Sequence, residues 1–283
     1  MEIKKVLVAG AGQMGNGIAQ VTAQAGYDVV MTDIAQEFTD KGMAAIQKNL
    51  GRAVDKGRMS GEDRDATLTR ISTGLSYDAG ADADLFIEAA PEIVDLKKQI
   101  FAQAVATLRE DAVIATNTSS LMVTELAAAA GVPERFIGIH FFNPVPAMAL
   151  VEVIRGLGTS DETAATAKAF VQSLGKVAVV AADSAGFVVN RILFPMINEA
   201  VHVLAEGVAS AEDIDAAMKA GANHPMGPLA LADLVGLDTT LAVLEVLFKD
   251  SGNPKYSPCP LLRRYVAAGR LGRKSGAGFY TYQ

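Results

Sequence analysis

His140 and Glu152 are the two residues whose types and positions best fit acid–base chemistry. His140 follows an apolar run, residues 136–139, and ligands of an open α/β sheet bind where such strands end. Glu152 interrupts a second apolar run, residues 148–154, in which a carboxylate is costly to bury without a partner. If the two strands are neighbours, Glu152 orients the imidazole, and the other ring nitrogen can exchange a proton with a substrate hydroxyl. Two structural alternatives stay open, namely a core histidine bonded to the backbone and an ion pair between Glu152 and a lysine or arginine.

Polar side chains in two other segments are candidates for the same site. Residues 116–120 read Thr-Asn-Thr-Ser-Ser and follow another buried strand, so Asn117 and Ser119 are expected near a ribose and an oxygen of bound ligands. Ser120 is expected to cap the helix that follows. Asn190 lies in the first turns of a later helix, from which its amide could polarise a carbonyl. The alternative for Asn190 is an interhelical hydrogen bond.

A glycine-rich turn near the N-terminus predicts a dinucleotide site. It follows a short apolar strand and reads Gly10-Ala11-Gly12-Gln13-Met14-Gly15. Gly10 permits the tight turn, Gly12 lets the backbone approach a pyrophosphate, and Gly15 lets the next helix pack closely on the strand. The free N–H groups at the start of that helix, around Gln13 and Met14, are expected to point at the phosphates.

The residues after this turn complete the motif. A second apolar run ends in Asp33, eighteen residues after Gly15. Strand, glycine turn, helix, strand and acid thus follow in the order that a dinucleotide-binding βαβ unit requires. Asp33 would accept hydrogen bonds from an adenosine ribose and repel a 2′-phosphate, which favours NAD over NADP. A structural βα turn without a ligand is the alternative.

Three basic residues on the next helix, about residues 36–58, could bind a polyanion. Lys48, Arg52 and Lys56 are four residues apart and therefore share one helix face. Like charges at this spacing are mildly destabilising, and the protein is acidic overall. The phosphates of coenzyme A would account for the row. An ordinary solvated helix surface is the alternative.

Alternating apolar runs and helical patterns predict a Rossmann-type, doubly wound, mostly parallel sheet. After the first βαβ unit, the runs lie at residues 71–75, 84–88, 112–116, 135–139, 150–154 and 177–181. A charged segment, residues 61–70, is expected to be irregular. The later pattern is helical, at residues 188–206, 211–220, 228–234 and 239–250. We therefore predict an NAD-binding domain, residues 1–183, with a long helical insertion after its second strand. An all-α domain, residues 184–283, is predicted to serve substrate closure and dimerisation.

Composition and charge restrict the class of protein. Half of the 283 residues are hydrophobic and the formal net charge is −7, which argues against bulk nucleic-acid binding. The single cysteine, Cys259, excludes an intramolecular disulfide and a paired-cysteine metal site, and it suits a reducing cytoplasm. The sequence shows neither a signal-peptide pattern nor an apolar segment long enough to span a membrane. We therefore expect a cytoplasmic protein without a metal, nucleic-acid or membrane partner.

Together these residues resemble the L-3-hydroxyacyl-CoA dehydrogenase family, and within it the short-chain 3-hydroxybutyryl-CoA dehydrogenases of bacteria. The resemblance covers nearly the whole chain. Besides the glycine turn, it rests on residues 115–120 (ATNTSS), 138–144 (GIHFFNP), 186–191 (GFVVNR), 223–228 (NHPMGP) and 272–280 (GRKSGAGFY). The chain departs from many relatives at Ala185, where they have proline, and at Pro91, where they have an aliphatic residue.

The resemblance implies a role for each matching residue. It implies that His140 is the catalytic histidine with Glu152 as its partner, and that Ser119 and Asn190 contact the 3-oxygen and thioester region of the substrate. The positions that match NAD contacts, besides the glycine turn, are Asp33, Glu92, Lys97, Asn117, Ser119, Asn143 and Lys274. Those that match coenzyme A contacts are Asn49 and Lys56, with Arg52 as a neighbour.

The expected function is reversible hydride transfer between NAD and C3 of a short (S)-3-hydroxyacyl-CoA. The expected substrate pair is acetoacetyl-CoA and 3-hydroxybutyryl-CoA, and a homodimer is expected to form through the helical domain. A related dehydrogenase of a free hydroxy acid or sugar acid is one alternative, and an NAD-binding redox sensor without turnover is another.

Overall fold

The structure is a computed structural model that describes residues 1–282. It divides into two compact units, one formed by Met1–Ser184 and one that begins at Ala185. The first unit is built from strands and helices in alternation, and the second is built from helices. The predicted fold class is confirmed.

A single sheet forms the centre of the first unit. Its strands are β1 (Lys5–Ala9), β2 (Asp28–Thr32), β3 (Ile71–Gly74), β4 (Leu85–Glu88), β5 (Val113–Thr116), β6 (Phe136–Phe141), β7 (Leu150–Arg155) and β8 (Val177–Ala182). Their order is β3-β2-β1-β4-β5-β6-β7-β8, and neighbouring strands are parallel except β6 and β7. The winding direction reverses between β1 and β4. Such a reversal creates a crevice at the carboxyl ends of the strands, where these sheets bind ligands.

Six α-helices connect the strands within residues 1–184. They are α1 (Gln13–Gln24), α2 (Gln36–Asp55), α3 (Gly61–Thr69), α4 (Val94–Thr107), α5 (Val123–Ala130) and α6 (Asp161–Ser173). The interpretation of residues 61–70 as irregular is wrong, because most of this segment forms α3. The Ser60 side chain accepts the N–H of Asp63 at 3.0 Å, and Glu62 and Asp63 complement the helix dipole in the first turn. Local capping therefore stabilises a helix that buries only Thr67.

The central strands are covered on both faces. All residues of β4, β5 and β6 are buried, as expected of strands that lie between two layers of helices. The core cluster joins the sheet to α1 and α2 through Ile18, Ile46 and Leu50. Full burial of such an aliphatic side chain contributes about 1.5–3 kcal/mol. The polar residues at the carboxyl edge of the sheet are therefore attached to strands that are held by the packed core.

A long-range contact replaces the cap that the sequence suggests for α5. The N-cap position is Met122, without a side-chain cap, so the prediction that Ser120 caps this helix is wrong. The N–H groups of Val123 (3.2 Å) and Thr124 (2.7 Å) donate instead to the carboxylate of Asp183, which directly follows β8. Asp183 is about sixty residues away along the chain, so local sequence could not reveal it.

The second unit contains five α-helices within its described residues. They are α7 (Val189–Ala205), α8 (Ala211–Gly221), α9 (Pro228–Val235), α10 (Leu237–Ser251) and α11 (Pro260–Ala267). Their core includes Leu229 and Leu244. Buried Asp233 on α9 accepts the N–H groups of Phe279 and Tyr280, each at 2.9 Å, and so holds the C-terminal segment against α9. The prediction that these residues are helical is confirmed. The structure also contains α11, which the sequence analysis did not predict.

Candidate active site

The turn between β1 and α1 excludes side chains at two of its three glycines. Gly10 has a φ of +109°, and a Cβ there would lie 2.7 Å from the carbonyl oxygen of Ala89. A Cβ on Gly15 would lie 1.7 Å from the carbonyl oxygen of Gly10. Around the Cβ position of Gly12, in contrast, no atom outside its chain neighbours lies within 4 Å. Gly10 and Gly15 are therefore required by the turn itself, whereas Gly12 leaves open space beside the backbone.

The space beside Gly12 fits the pyrophosphate of a dinucleotide. Gly12 is the N-cap of α1 and provides no side-chain acceptor for the first-turn N–H groups, which include those of Gln13 and Met14. These donors and the positive end of the helix dipole favour a bound anion. A side chain at Gly12 would fill the space that such an anion needs.

Asp33 lies at the carboxyl end of β2 and faces the same turn. Its Oδ2 accepts the N–H of Ala11 at 2.8 Å, and its Oδ1 accepts the N–H of Ile34 at 2.7 Å. An ionised carboxylate has about four acceptor positions, so two further hydrogen bonds from ribose hydroxyls can be added. The residues of the turn and Asp33 together fit NAD.

His140 and Glu152 are neighbours across the antiparallel pair β6–β7. The register places the two residues opposite each other, and Nδ1 of His140 lies 2.8 Å from Oε2 of Glu152. Both side chains are buried, with 6% and 0% exposed. The two strands are therefore neighbours, which is the condition that the sequence analysis set for Glu152 to orient the imidazole. The short contact joins Nδ1 of the imidazole to the carboxylate of Glu152.

Asn117 holds the strand that carries His140. β5 pairs with β6 as far as Thr116, which lies opposite Gly138. Beyond that point Oδ1 of Asn117 accepts the N–H of Phe141 at 2.9 Å. The side chain takes the place of a further β5 peptide group and keeps β6 extended through His140. Its Nδ2 group supplies two donors for other partners.

Ser119 and Glu92 are joined at the carboxyl ends of β5 and β4. Oε1 of Glu92 accepts the N–H of Ser119 (2.7 Å), the hydroxyl of Ser119 (3.3 Å) and the hydroxyl of Thr118 (2.8 Å). Oε2 of Glu92 lies 3.2 Å from Nζ of Lys97, which projects from α4. The structure thus brings three of the predicted site residues into one hydrogen-bonded group.

Glu88 belongs to this group, although the sequence analysis did not single it out. It is the last residue of β4, is fully buried, and lies 2.5 Å from Nζ of Lys97. A signal for it was present, since a lone carboxylate ends the apolar strand residues Leu85, Phe86 and Ile87. The same kind of signal pointed to Glu152.

The remaining predicted residues are on other elements of the fold. Asn143 is exposed in the loop after β6. The predicted coenzyme A residues are exposed on α2 or at its C-terminal end: Asn49, Arg52 and Lys56. Asn190 in the first turn of α7, and Lys274, which pairs with Asp238 at 2.6 Å, belong to the second unit. Among residues 1–282, no cluster of His, Cys, Asp or Glu could hold a metal ion, and no helix is long and apolar enough to cross a membrane.

Known proteins match this chain along its length. Residues 5–184 match the family "3-hydroxyacyl-CoA dehydrogenase, NAD binding domain", and residues 186–282 match "3-hydroxyacyl-CoA dehydrogenase, C-terminal domain". A 3-hydroxybutyryl-CoA dehydrogenase of Bradyrhizobium diazoefficiens is 54% identical over 99% of this chain and 96% of its own length. The mitochondrial hydroxyacyl-coenzyme A dehydrogenase of Sus scrofa is 42% identical over 99% of this chain and 92% of its own length. The crystal structure of (S)-3-hydroxybutyryl-CoA dehydrogenase from Ralstonia eutropha superposes on this chain with a TM-score of 0.98. The superposition covers 100% of both chains, whose sequences are 52% identical.

The glycine turn, Asp33 and the sheet topology define a Rossmann-type, NAD-binding oxidoreductase. The chain belongs to the 3-hydroxyacyl-CoA dehydrogenase family, because the two family domains together span nearly all of it. The resemblance noted from the sequence motifs is confirmed.

Proposed function

We propose that this chain catalyses the reversible interconversion of (S)-3-hydroxybutyryl-CoA and acetoacetyl-CoA with NAD. The names of its bacterial relatives support the substrate pair. The observation that carries the proposal is the 2.8 Å contact between His140 and Glu152 near the carboxyl edge of the sheet. Oxidation of a secondary alcohol requires a base for the hydroxyl proton, and a buried imidazole oriented by a carboxylate is such a base.

Proton transfer is assigned to His140. In the oxidative direction its Nε2 takes the proton of the 3-hydroxyl, while Nδ1 stays bonded to Glu152, whose charge stabilises the imidazolium. NAD, when bound, supplies the hydride acceptor for C3, and NADH supplies the donor. In the reductive direction the imidazolium returns the proton to the oxygen on C3. Because the pair is buried, its charge interaction is stronger than it would be in water.

Binding roles are assigned from the resemblance and the local geometry. We assign Ser119 to the substrate 3-oxygen and Asn190 to the thioester region. The NAD subsite is assigned to the glycine turn and to seven further residues: Asp33, Glu92, Lys97, Asn117, Ser119, Asn143 and Lys274. The support from geometry is strongest for Asp33 and Ser119, since each is held by backbone hydrogen bonds at the carboxyl edge of the sheet.

The purified protein tests the proposal directly. We expect oxidation of NADH that depends on acetoacetyl-CoA, with a kcat/KM at least about tenfold higher for NADH than for NADPH, because Asp33 repels a 2′-phosphate. Longer 3-ketoacyl-CoA substrates are measured in the same assay. Turnover of free acetoacetate in preference to its thioester would contradict the CoA assignment. Binding of NADH without turnover of any acyl-CoA would contradict an enzymatic function.

The basic row on α2 provides a second test. Lys48, Arg52 and Lys56 are exposed, and, among residues 1–282, none of them forms a salt bridge. The double variant Arg52→Gln, Lys56→Gln is expected to raise the KM for acetoacetyl-CoA about two- to thirtyfold, since each exposed charge contributes about 0.2–1 kcal/mol. The effect should shrink at high salt.

The control for this variant is Lys41→Gln on the same helix. Lys41 pairs with Glu37, one helical turn away, so this change removes a charge from α2 without touching the row. We expect an unchanged KM for the control. An equal rise in KM for both variants, or an unchanged KM for the double variant, would rule out coenzyme A binding by the row.

We also propose that the second unit forms a homodimer. It exposes several large apolar side chains in its described residues, among them Ile192 (67%), Val208 (70%), Leu234 (48%) and Phe248 (37%). Such exposure is costly in water and is relieved at an interface. Sedimentation equilibrium at micromolar concentration should give twice the chain mass of 29.5 kDa. A monomer under these conditions would contradict the proposal.

A further inference from the structure

A loop, residues 142–149, joins the two strands that carry His140 and Glu152. Its first residue contacts the site, because the ring of Phe142 packs against the imidazole of His140 with their centroids 4.5 Å apart. Its second residue, Asn143, is assigned to the NAD subsite. The position of this loop therefore affects two groups of the proposed active site.

The loop forms a turn that is largely exposed. Within residues 142–149, only Val145 is buried. The N–H groups of Ala147 (3.0 Å) and Met148 (3.1 Å) both donate to the carbonyl oxygen of Pro144 and close the turn. A segment with so little buried apolar surface opens easily, so its position depends on the few contacts that attach it to the rest of the unit.

Lys176 attaches the loop to the sheet. It directly precedes β8, and its half-buried ammonium group donates to the carbonyl oxygens of Val145 at 2.8 Å and Met148 at 2.7 Å. The next residue, Val177, donates its N–H to the carbonyl oxygen of Ala149 at 2.8 Å. Hydrogen bonds from an ionised donor are stronger than those between neutral groups. Removal of this ammonium group should therefore loosen the loop.

Gly17 attaches the loop to α1. A Cβ on Gly17 would lie 2.9 Å from Cβ of Val145 and 3.1 Å from its Cγ2. Because Gly17 has no side chain, Val145 packs directly on the helix and is only 2% exposed. The same helix carries the first-turn N–H groups beside the space that fits a pyrophosphate. The loop after His140 is thus seated on the helix that faces this space.

We propose that Lys176 is a positioning residue, which holds the loop and, through it, the ring of Phe142 against His140. Gly17 provides the second attachment of the same loop. If the loop moved away, the imidazole would lose the ring that packs against it, and a small displacement of a reacting group lowers the rate strongly. The inference rests on the proposed function in one respect, namely the assignment of proton transfer to His140.

A double-mutant cycle tests whether Lys176 acts through Phe142. The variants are Lys176→Met, Phe142→Ala and the combination, and the readouts are kcat and KM for acetoacetyl-CoA. We expect Lys176→Met to lower kcat about tenfold in the wild-type background and less than about threefold in the Phe142→Ala background. The KM should stay within about threefold, because Lys176 donates to the loop and not to the substrate.

Two outcomes of this cycle would overturn the inference. A KM raised about tenfold with an unchanged kcat in Lys176→Met would indicate that the ammonium group binds the substrate directly. An equal loss of kcat in both backgrounds would show that Lys176 acts independently of Phe142.

Hydrogen exchange reports on the loop without turnover. The amides of Ala147 and Met148, which donate to Pro144, should exchange about tenfold faster in Lys176→Met. Gly17→Ala is the second variant, should Lys176→Met not fold. Its methyl group would overlap Val145 and displace the loop from α1, so we expect the same faster exchange and a lower kcat. Unchanged exchange in either folded variant would contradict the inference.

Lys168→Met is the matched control. Lys168 is an exposed residue of α6, so this change removes a lysine charge from the same unit and leaves the bonds between Lys176 and the loop in place. We expect unchanged kinetics and unchanged exchange, and an equal effect of both lysine variants would contradict a specific role of Lys176. Absence of acetoacetyl-CoA turnover in the wild-type protein would contradict the proposed function, and the exchange measurements would still decide whether Lys176 holds the loop.

Discussion

His140→Gln is expected to lower kcat for acetoacetyl-CoA reduction by about 10²–10⁴-fold and to leave the Kd of NADH near its wild-type value. The expected magnitude is that of a positioned general acid or base, because glutamine cannot carry the proton that Nε2 exchanges. The glycine turn and Asp33 are separate from the pair, so cofactor binding has no reason to change. Single-turnover kinetics and NADH fluorescence titration measure the two effects independently.

Glu152→Gln is the companion variant, because it preserves shape in a position with no exposed surface. The amide loses the charge that stabilises imidazolium, and it can donate to Nδ1 and so favour the wrong tautomer. A comparable change in the triad of a serine protease lowers kcat about 10⁴-fold. We expect a loss of about 10²–10⁴-fold here. A kcat near the wild-type value in His140→Gln or in Glu152→Gln would contradict the assignment of the acid–base pair.

Gly12→Ala is expected to weaken NADH binding at least about tenfold, or about 1.4 kcal/mol, without destabilising the fold. The new methyl group meets no protein atom within 4 Å beyond its chain neighbours, so the turn can retain its geometry. The same methyl group would occupy the space where the backbone must approach a pyrophosphate. The variant therefore tests whether glycine is needed at this position for NADH binding and not for folding.

Gly15→Ala is the opposite case on the same turn. Its Cβ would lie 1.7 Å from the carbonyl oxygen of Gly10, and backbone on both sides must move to relieve this overlap. Overpacking of this kind typically costs about 1–3 kcal/mol. We expect a lower midpoint of thermal unfolding in the absence of NADH for Gly15→Ala and an unchanged midpoint for Gly12→Ala. If Gly12→Ala bound NADH like the wild type, the pyrophosphate could not lie beside Gly12.

Much of the fold could be read from contiguous sequence. The apolar runs before Asp33, Glu88 and His140 predict strands, because buried parallel strands are apolar on both faces and end abruptly in polar residues. The glycine turn was recognisable because its three glycines and the helix that follows lie within six consecutive residues. α3 was missed because a polar surface helix depends on its cap and charges, which leave little apolar periodicity.

Other features depend on residues that are distant in the sequence. Asp183 caps α5 in place of Ser120, and no local pattern connects β8 to the start of that helix. Asn117 was expected to face the cofactor, yet its oxygen is bonded to the N–H of Phe141. A side-chain type indicates which bonds a residue can form, but the path of the chain decides which partner it meets.

The sequence by itself determined the cofactor class, the family and the alternation of strands and helices in the first unit, because these depend on short motifs and on apolar patterns along one segment. Only the tertiary structure decided which polar atoms meet. The register of β6 against β7 places His140 opposite Glu152, and a shift of one residue would send one side chain to the other face of the sheet. The contact of Glu92 with Ser119 is likewise decided by the fold, because it requires β4 and β5 to be neighbours in the sheet.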